Sequence, residues 1–215
     1  MKKQLTRDAL IATAKSFCGL NHAYKELFGV TDGKAVGTFI ERAFQNQVAA
    51  QFDLQIGNSA VGLDLPMIET DIKVTSVRQP QSSSPFRSAR QKVYGLGYNL
   101  LLFVYDKQDN ARAKKAKLTF VSCAFIASER TGDFNTTSAI LDLLARNGNR
   151  DDIFAALNDR GLPGDEITLN MLADEIIKMP PTLGYLTISN ALQWRLQYGR
   201  IVDMTEPVSG IVKIV

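Results

Sequence analysis

An α/β fold, with a central mixed β-sheet flanked by helices and then a C-terminal helical region, is what this sequence predicts. Three observations predict it: two runs of helical spacing before residue 53, a change to the two-residue period of strands between residues 59 and 77, and further helical runs beyond residue 128. With 215 residues the chain can hold one full core and a small additional module. The patterns divide it into a sheet-bearing core with N-terminal helices over 1–130 and a helical region over 131–215.

Residues 5–28 carry Leu5, Ala9, Ile11, Ala12, Phe17, Leu20, Tyr24, Leu27 and Phe28 at roughly helical spacing, until GVTDG at 29–33 breaks the run. A second helix is expected over 35–52, with Phe39, Ile40, Ala43, Phe44, Val48, Ala49 and Phe52 inward and Glu41, Arg42 and Gln45 beside that stripe. Strands are expected over 59–65 and 68–77, separated by Pro66 and Met67. In the second, Glu69, Asp71, Lys73 and Thr75 alternate with Ile68, Thr70, Ile72 and Val74. A polar loop over 78–85 leads to a helix over 86–96, ended by Gly95 or Gly97. Two apolar strands follow, over 99–105 and 118–126, joined by the charged loop DKQDNARAKKAK. Helices are then expected over 137–146, 151–159, 167–178 with Asp165 as its cap, and 188–198, Pro180 and Pro181 stopping the third. Residues 211–215 read as a strand, and no internal repeat is visible.

Composition narrows the function. Hydrophobic residues at 45% and charged residues at 22% exclude disordered and collagen-like chains. No apolar run is long enough to span a membrane, and the N-terminal MKKQLTRDALIATAK lacks a continuous apolar signal segment, so a cytoplasmic protein is expected. The two cysteines, Cys18 and Cys123, form no CxxC pair and read as reduced core thiols. A single histidine, His22, excludes His-rich metal sites and most Ser-His-Asp schemes, and is expected at the surface or at a helix end. The net charge of +3 permits a polyanionic partner without demanding one.

The chemistry lies in residues 62–76, GLDLPMIETDIKVTS. Hydrolysis of a phosphodiester needs a nucleophilic water and positive charge against the phosphate. A Mg2+ ion held by oxygen ligands supplies both, and a neighbouring lysine adds charge and orients the water. Asp71 and Lys73 share a strand face about 7 Å apart. Asp64 lies across a short turn, and Ile72 buries its side chain while its carbonyl can reach an ion. An acid two residues before a lysine arises about once by chance in such a chain, and Asp32-Gly33-Lys34 is a second instance. The same Glu69, Asp71, Lys73 ladder also suits the solvated outer face of an edge strand.

The order of a helix with Glu41, a strand with Asp64, a strand with Asp71-Ile72-Lys73, a helix and a strand resembles the PD-(D/E)XK nuclease superfamily over about residues 35–126. The polar continuation VTSVRQPQSSSPFRSARQK is similar to bacterial type II restriction endonucleases, and the acid spacing is similar to that of a mismatch-repair nicking enzyme. The resemblance implies a restriction endonuclease-like αβββαβ core, Mg2+ dependence and cleavage of double-stranded DNA. It implies that Asp64, Asp71 and the Ile72 carbonyl ligate the metal, that Lys73 sits by the attacking water, and that Glu41 completes the site through a bound water or a second ion. Leu63 stands where the family's eponymous proline would be.

Arg78, Gln79, Gln81, Ser82, Ser83, Ser84, Arg87, Arg90 and Lys92 supply groups suited to base edges and phosphates directly after the catalytic strand. Arg112, Lys114, Lys115 and Lys117 could add phosphate contacts or cap a solvated hairpin. Residues 169–198 have a helix-turn-helix outline that would aim Ser189, Asn190, Gln193, Arg195 or Gln197 at base edges, although packing helices give the same pattern and Trp194 reads as a core anchor. The expectation is a homodimeric type II restriction endonuclease, with a DNA methyltransferase as its genetic partner. A repair or nicking endonuclease of the same fold, and a non-catalytic helix-turn-helix DNA-binding protein, remain alternatives.

Overall fold

The computed structural model describes residues 2–53, 62–84, 88–189 and 194–215. In chain order the elements are β1 (Lys3–Gln4), α1 (Arg7–Cys18), β2 (His22–Tyr24), α2 (Gly33–Gln51), β3 (Phe52–Asp53), β4 (Thr70–Ser76), β5 (Gln81–Ser84), α3 (Arg90–Tyr94), β6 (Asn99–Asn110), β7 (Lys115–Ile126), α4 (Phe134–Ala145), α5 (Arg150–Asp159), α6 (Glu166–Lys178), β8 (Thr187–Ile188), β9 (Trp194–Gln197), α7 (Gly199–Val202) and β10 (Ile211–Lys213). They pack as two units. One holds residues 1–80, 99–126 and 206–215; the other holds 81–98 and 127–205. The partition therefore crosses the chain several times instead of falling at one point near residue 130.

The first unit is built on a mixed sheet in the order β10-β7-β6-β4, with β2 also paired to β7. Leu100 to Tyr105 are all buried, as a central strand covered on both faces requires. β4 runs parallel to β6, and β7 antiparallel to it. Pairing of Val104 with Ser122 and of Tyr105 with Phe120 leaves Val121 as an extra bulged residue, 43% exposed. The expected charged loop between these strands is largely strand: Asp106 to Asn110 pair with Lys115 to Thr119, and β2 pairs alongside. On the β7 arm Ala116, Leu118 and Phe120 are buried between Lys115, Lys117 and Thr119, whereas Asp106 to Asn110 carry no apolar residue to mark their arm.

α1 stops at Gly19, well short of the expected helical run, and α2 begins where Asp32 accepts a hydrogen bond from the Lys34 N–H. The second Asp-x-Lys match is thus a helix cap. Phe17, Phe44, Phe103 and Phe120 form the aromatic centre of this unit. His22 packs into that centre, 3% exposed, with its Nε2 on the Phe17 carbonyl at the end of α1. Against the expectation of a surface or helix-end position, it is a buried residue of β2. Burial lowers its pKa below the ordinary histidine value. Cys18 and Cys123 are free thiols within hydrogen-bonding reach of each other.

The second unit combines α3 to α6 with a small antiparallel sheet, β5-β9-β8. Val93, Ile140, Ile153, Leu157, Leu169, Leu172 and Ile176 interlock in its helical core. α4, α5 and α6 begin on Asp133, Asn149 and Asp165 side-chain caps. Gly95 closes α3 at φ 91°, and a Cβ there would lie 2.1 Å from the Ser128 carbonyl oxygen. Of the expected helix over 188–198, residues 190–193 lie outside the described residues, and Ile188 and Trp194–Gln197 are strand: Trp194, Leu196 and Tyr198 are buried while Arg195 and Gln197 are exposed, a period of two. The helix-turn-helix outline fails with it. Among the described residues, no helix is long and apolar enough to cross a membrane.

Candidate active site

Asp64 and Asp71 are seven residues apart in sequence, and a tight turn makes them neighbours. Leu65 and Thr70 exchange backbone hydrogen bonds of 3.0 and 3.1 Å around a 3-10 turn at Pro66–Ile68. Glu69 closes the turn in the left-handed region at φ 47° and is exposed, so it lies before the strand rather than on the Asp71 face. Asp64 sits at the entrance of this turn, not on a paired strand, and its Oδ2 accepts the Ile72 N–H at 2.8 Å.

That bond also orients the Ile72 carbonyl. In a paired strand the N–H and C=O of one residue point to the same side, and successive residues alternate. Ile72 therefore directs its carbonyl toward the Asp64 side of β4, away from β6. Its side chain is 2% exposed and anchors the strand in the core. Asp71 and Lys73 project from the opposite face of β4 to that side chain, with Lys73 Nζ 2.6 Å from Asp71 Oδ2.

α2 supplies the other wall. Gly37, Glu41 and Gln45 recur every four residues and so lie on one stripe. A Cβ on Gly37 would be 3.2 Å from the Val74 carbonyl oxygen, so glycine lets the helix approach β4 closely. One and two turns on, the Glu41 carboxyl lies within hydrogen-bonding reach of Asp64, and Gln45 Nε2 donates to Asp64 Oδ1 at 3.3 Å. Gln45 was visible in the sequence only as a polar residue beside the apolar stripe. Gly37 gave no signal at all.

The electrostatics follow from packing three acids around one lysine. Burial raises the Glu41 and Asp64 carboxyls above the ordinary range, opposed in each case by hydrogen bonding to a neighbouring carboxyl and by Lys73. Asp71, 7% exposed, is pushed up to about 6 by burial, with Lys73 opposing and Asp64 reinforcing the shift. Asp64 and Asp71 are coupled: the hydrogen bond between them raises Asp71 and lowers Asp64, so of the two Asp71 keeps its proton longer as pH rises. Such a cluster is short of positive charge, and its donors are all hard oxygens, which suits a divalent cation of the Mg2+ class. Among the described residues no three His, Cys, Asp or Glu side chains already form a finished metal cage. The fit rests on two carboxylates and the Ile72 carbonyl, with Glu41 behind Asp64.

The residues expected at DNA are placed variously. Arg78 and Gln79 are exposed in the turn after β4. Gln81, Ser82, Ser83 and Ser84 form β5, Ser82 Oγ lies 2.6 Å from the Tyr198 hydroxyl, and Ser84 is buried. Arg90 is exposed and ion-paired to Glu175 at 2.7 Å. Lys92 is 3% exposed, its ammonium 5.8 Å from the Trp194 ring centre. Burial lowers the Lys92 pKa, against the charge of Asp133, and this interior position does not offer it to a polyanion. Arg195 is exposed on β9; Arg87 and Gln193 lie outside the described residues.

Because Gly37 governs how closely the Glu41 and Gln45 stripe meets Asp64, Gly37→Ala is expected to slow any reaction at this site roughly tenfold by small misplacement. Alanine's better helix propensity should offset the tight contact, leaving the melting temperature within a few degrees. A turnover assay beside a thermal melt checks both; unchanged turnover would mean that the helix spacing is not tuned to the site.

A family model described as type II restriction enzyme NspV matches residues 4–213 of this chain. The chain is 50% identical over 212 residues to the type II restriction enzyme NspV of Nostoc sp. (strain ATCC 29411 / PCC 7524), an alignment spanning 98% of this chain and 96% of that protein. No solved structure matches.

Proposed function

The chain belongs to the type II restriction enzyme NspV family, and on that premise we propose that it is a site-specific endonuclease that hydrolyses double-stranded DNA with a divalent cation, Mg2+, held at β4. The observation that carries the proposal is the convergence of Asp64, Asp71 and the Ile72 carbonyl side at one strand edge, with Lys73 on Asp71.

A cation bound there would supply positive charge against the scissile phosphoryl group and an acidified water. Asp64 and Asp71 would hold it in their ionised forms. Gln45 and the Ile72 N–H fix the Asp64 carboxylate from two directions. Glu41 positions Asp64 and can receive a proton from water on the same side. Lys73, 22% exposed at its side chain, orients the attacking water and stabilises charge that builds on the phosphate. Arg78 and Gln79, exposed at the end of β4, contact the DNA backbone. Two copies related by a two-fold axis cut the two strands of a palindromic site, so the working species is a homodimer acting in the cytoplasm. A methyltransferase that protects the same sequence is its genetic partner.

Digestion of unmethylated phage DNA tests this directly. Discrete fragments are expected with Mg2+, none in excess EDTA, and binding without cleavage in Ca2+. Fragments that persist in EDTA would remove the metal from the mechanism. Sedimentation at twice the mass of the chain, alone or on DNA, is the expected result for the dimer.

A further inference from the structure

The sheet β5-β9-β8 has two chemically distinct faces. Strand pairing aligns Gln81 with Gln197 and Thr187, and Ser83 with Arg195. Ser189 extends the second row, donating its N–H to the Arg195 carbonyl and accepting the Arg195 N–H on its hydroxyl. One face is therefore a two-by-three array: Gln81, Gln197 and Thr187 in one row, Ser83, Arg195 and Ser189 in the next. The opposite face, Ser84, Ile188, Trp194 and Leu196, is buried. None of the residues of these three strands is acidic.

We propose that this polar face of the β5-β9-β8 sheet is the base-reading surface of the enzyme, entered into the DNA major groove with Arg195 and Gln197 of β9 as its principal specificity residues. The proposal rests on the reading of the chain as a sequence-specific nuclease and says where that specificity resides. Three strands about 4.8 Å apart make a face roughly 10 Å across, and the major groove is about 12 Å wide. Arg195 and Gln197 are two residues apart on one strand, about 6.7 Å, which matches two base-pair steps of about 3.4 Å. Arginine pairs bidentately with guanine O6 and N7, and glutamine with adenine N6 and N7. Ser83 Oγ lies 3.0 Å from Arg195 Nη1, steadying the guanidinium, as a positioning residue should. Both readers are exposed and stand on strands whose inner face is held by Trp194 and Leu196, so the array is rigid where specificity needs rigidity. These side chains act from a strand, not from the recognition helix that the sequence outline suggested.

The test is selection of a random duplex pool by the full-length protein in Ca2+, with sequencing of bound duplexes, so that binding is read independently of cleavage. Wild type is expected to enrich one motif. Arg195→Ala should enrich the same motif with one base pair per half-site made degenerate, its discrimination there falling about 5- to 150-fold. Gln197→Ala should relax a position two steps away. The proposal is overturned if wild type enriches no motif, if either variant enriches the wild-type motif unchanged, or if either loses enrichment at every position alike. That last pattern marks a phosphate contact, which would also lower the salt dependence by about one unit of slope. Circular dichroism of each variant separates misfolding, for which Arg195→Lys is the milder substitution. A wild type that enriches a motif in Ca2+ yet never cuts with Mg2+ would sink the catalytic reading and leave this one standing.

Discussion

Asp71→Asn is expected to lower DNA cleavage by roughly three orders of magnitude or more, while making the metal-free protein more stable. The catalytic loss follows from removing a proposed metal ligand and the partner of Lys73 together; loss of one preorganised electrostatic group in an active site commonly costs about 100- to 1,000-fold. The gain in stability follows from the same burial. The Asp71 carboxyl is pushed up to about 6 in the folded chain, against about 3.9 in an unfolded one. The folded state thus binds the proton more tightly, so the contribution of Asp71 to stability is fully present below about pH 4, is lost between about pH 4 and 6, and stays lost above. Roughly two pK units correspond to about 3 kcal/mol at neutral pH. Asparagine escapes that cost but leaves Lys73 without its 2.6 Å partner, so about 1–2 kcal/mol should remain as net gain. Urea unfolding in EDTA at pH 5 and pH 8 reads the effect: the wild type should lose more stability between the two than the variant, in which only the raised Glu41 and Asp64 carboxyls remain. Adding Mg2+ should then stabilise wild type alone. A variant that still cut at a tenth of the wild-type rate would place the metal elsewhere.

Why the carboxylate pair was legible, and its support was not, comes down to the reach of local pattern. The strand was legible from the two-residue period of its side chains from Ile68 to Thr75, although burial within β4 does not alternate: Thr70, Asp71, Ile72 and Thr75 are all buried and Lys73 is half-buried. The acid at Asp64 was found by its distance from that strand, although it occupies a turn and not the neighbouring strand expected for it. Gln45 and Gly37 owe their roles to which residues face α2 across the fold, and neither amide nor glycine announces such a neighbour. The second unit was harder for the same reason. Its sheet joins residues 81–84 to 194–197, more than a hundred positions away, so the polar run after β4 read as loop. Ile188, Ala191, Leu192 and Leu196 stand at helical spacing in the sequence, while Trp194, Leu196 and Tyr198 stand two apart, so the short run carries both patterns. Only the exposure of Arg195 and Gln197 between buried neighbours decides it.

Asp133→Ala should be the most destabilising single change in the second unit, at about 4 kcal/mol, and Asp133 carried no mark in the sequence beyond preceding a helix. Its carboxylate is 4% exposed. Oδ2 accepts the Thr136 N–H at 2.9 Å and the Thr136 hydroxyl at 2.7 Å; Oδ1 accepts the Ile188 N–H at 2.8 Å. One side chain thus caps α4 and fastens the start of the small sheet at β8. Loss of a helix cap costs about 1 kcal/mol, and each buried donor left unpaired about 1–3 kcal/mol. Alanine also removes the negative charge that favours the ammonium of buried Lys92. For a chain of this size a loss of that order lowers the melting temperature by roughly 10 °C. Asparagine should fall between the two: its oxygen can still cap α4, but its amide then confronts the Ile188 N–H. The order wild type, Asp133→Asn, Asp133→Ala in a thermal melt checks the argument. If alanine melted within about 2 °C of wild type, the three hydrogen bonds would contribute nothing net. Because β8 carries Thr187 and leads to Ser189, the surviving folded fraction of the alanine variant should also discriminate less well between DNA sequences, while the carboxylates at β4 keep their raised pKa values.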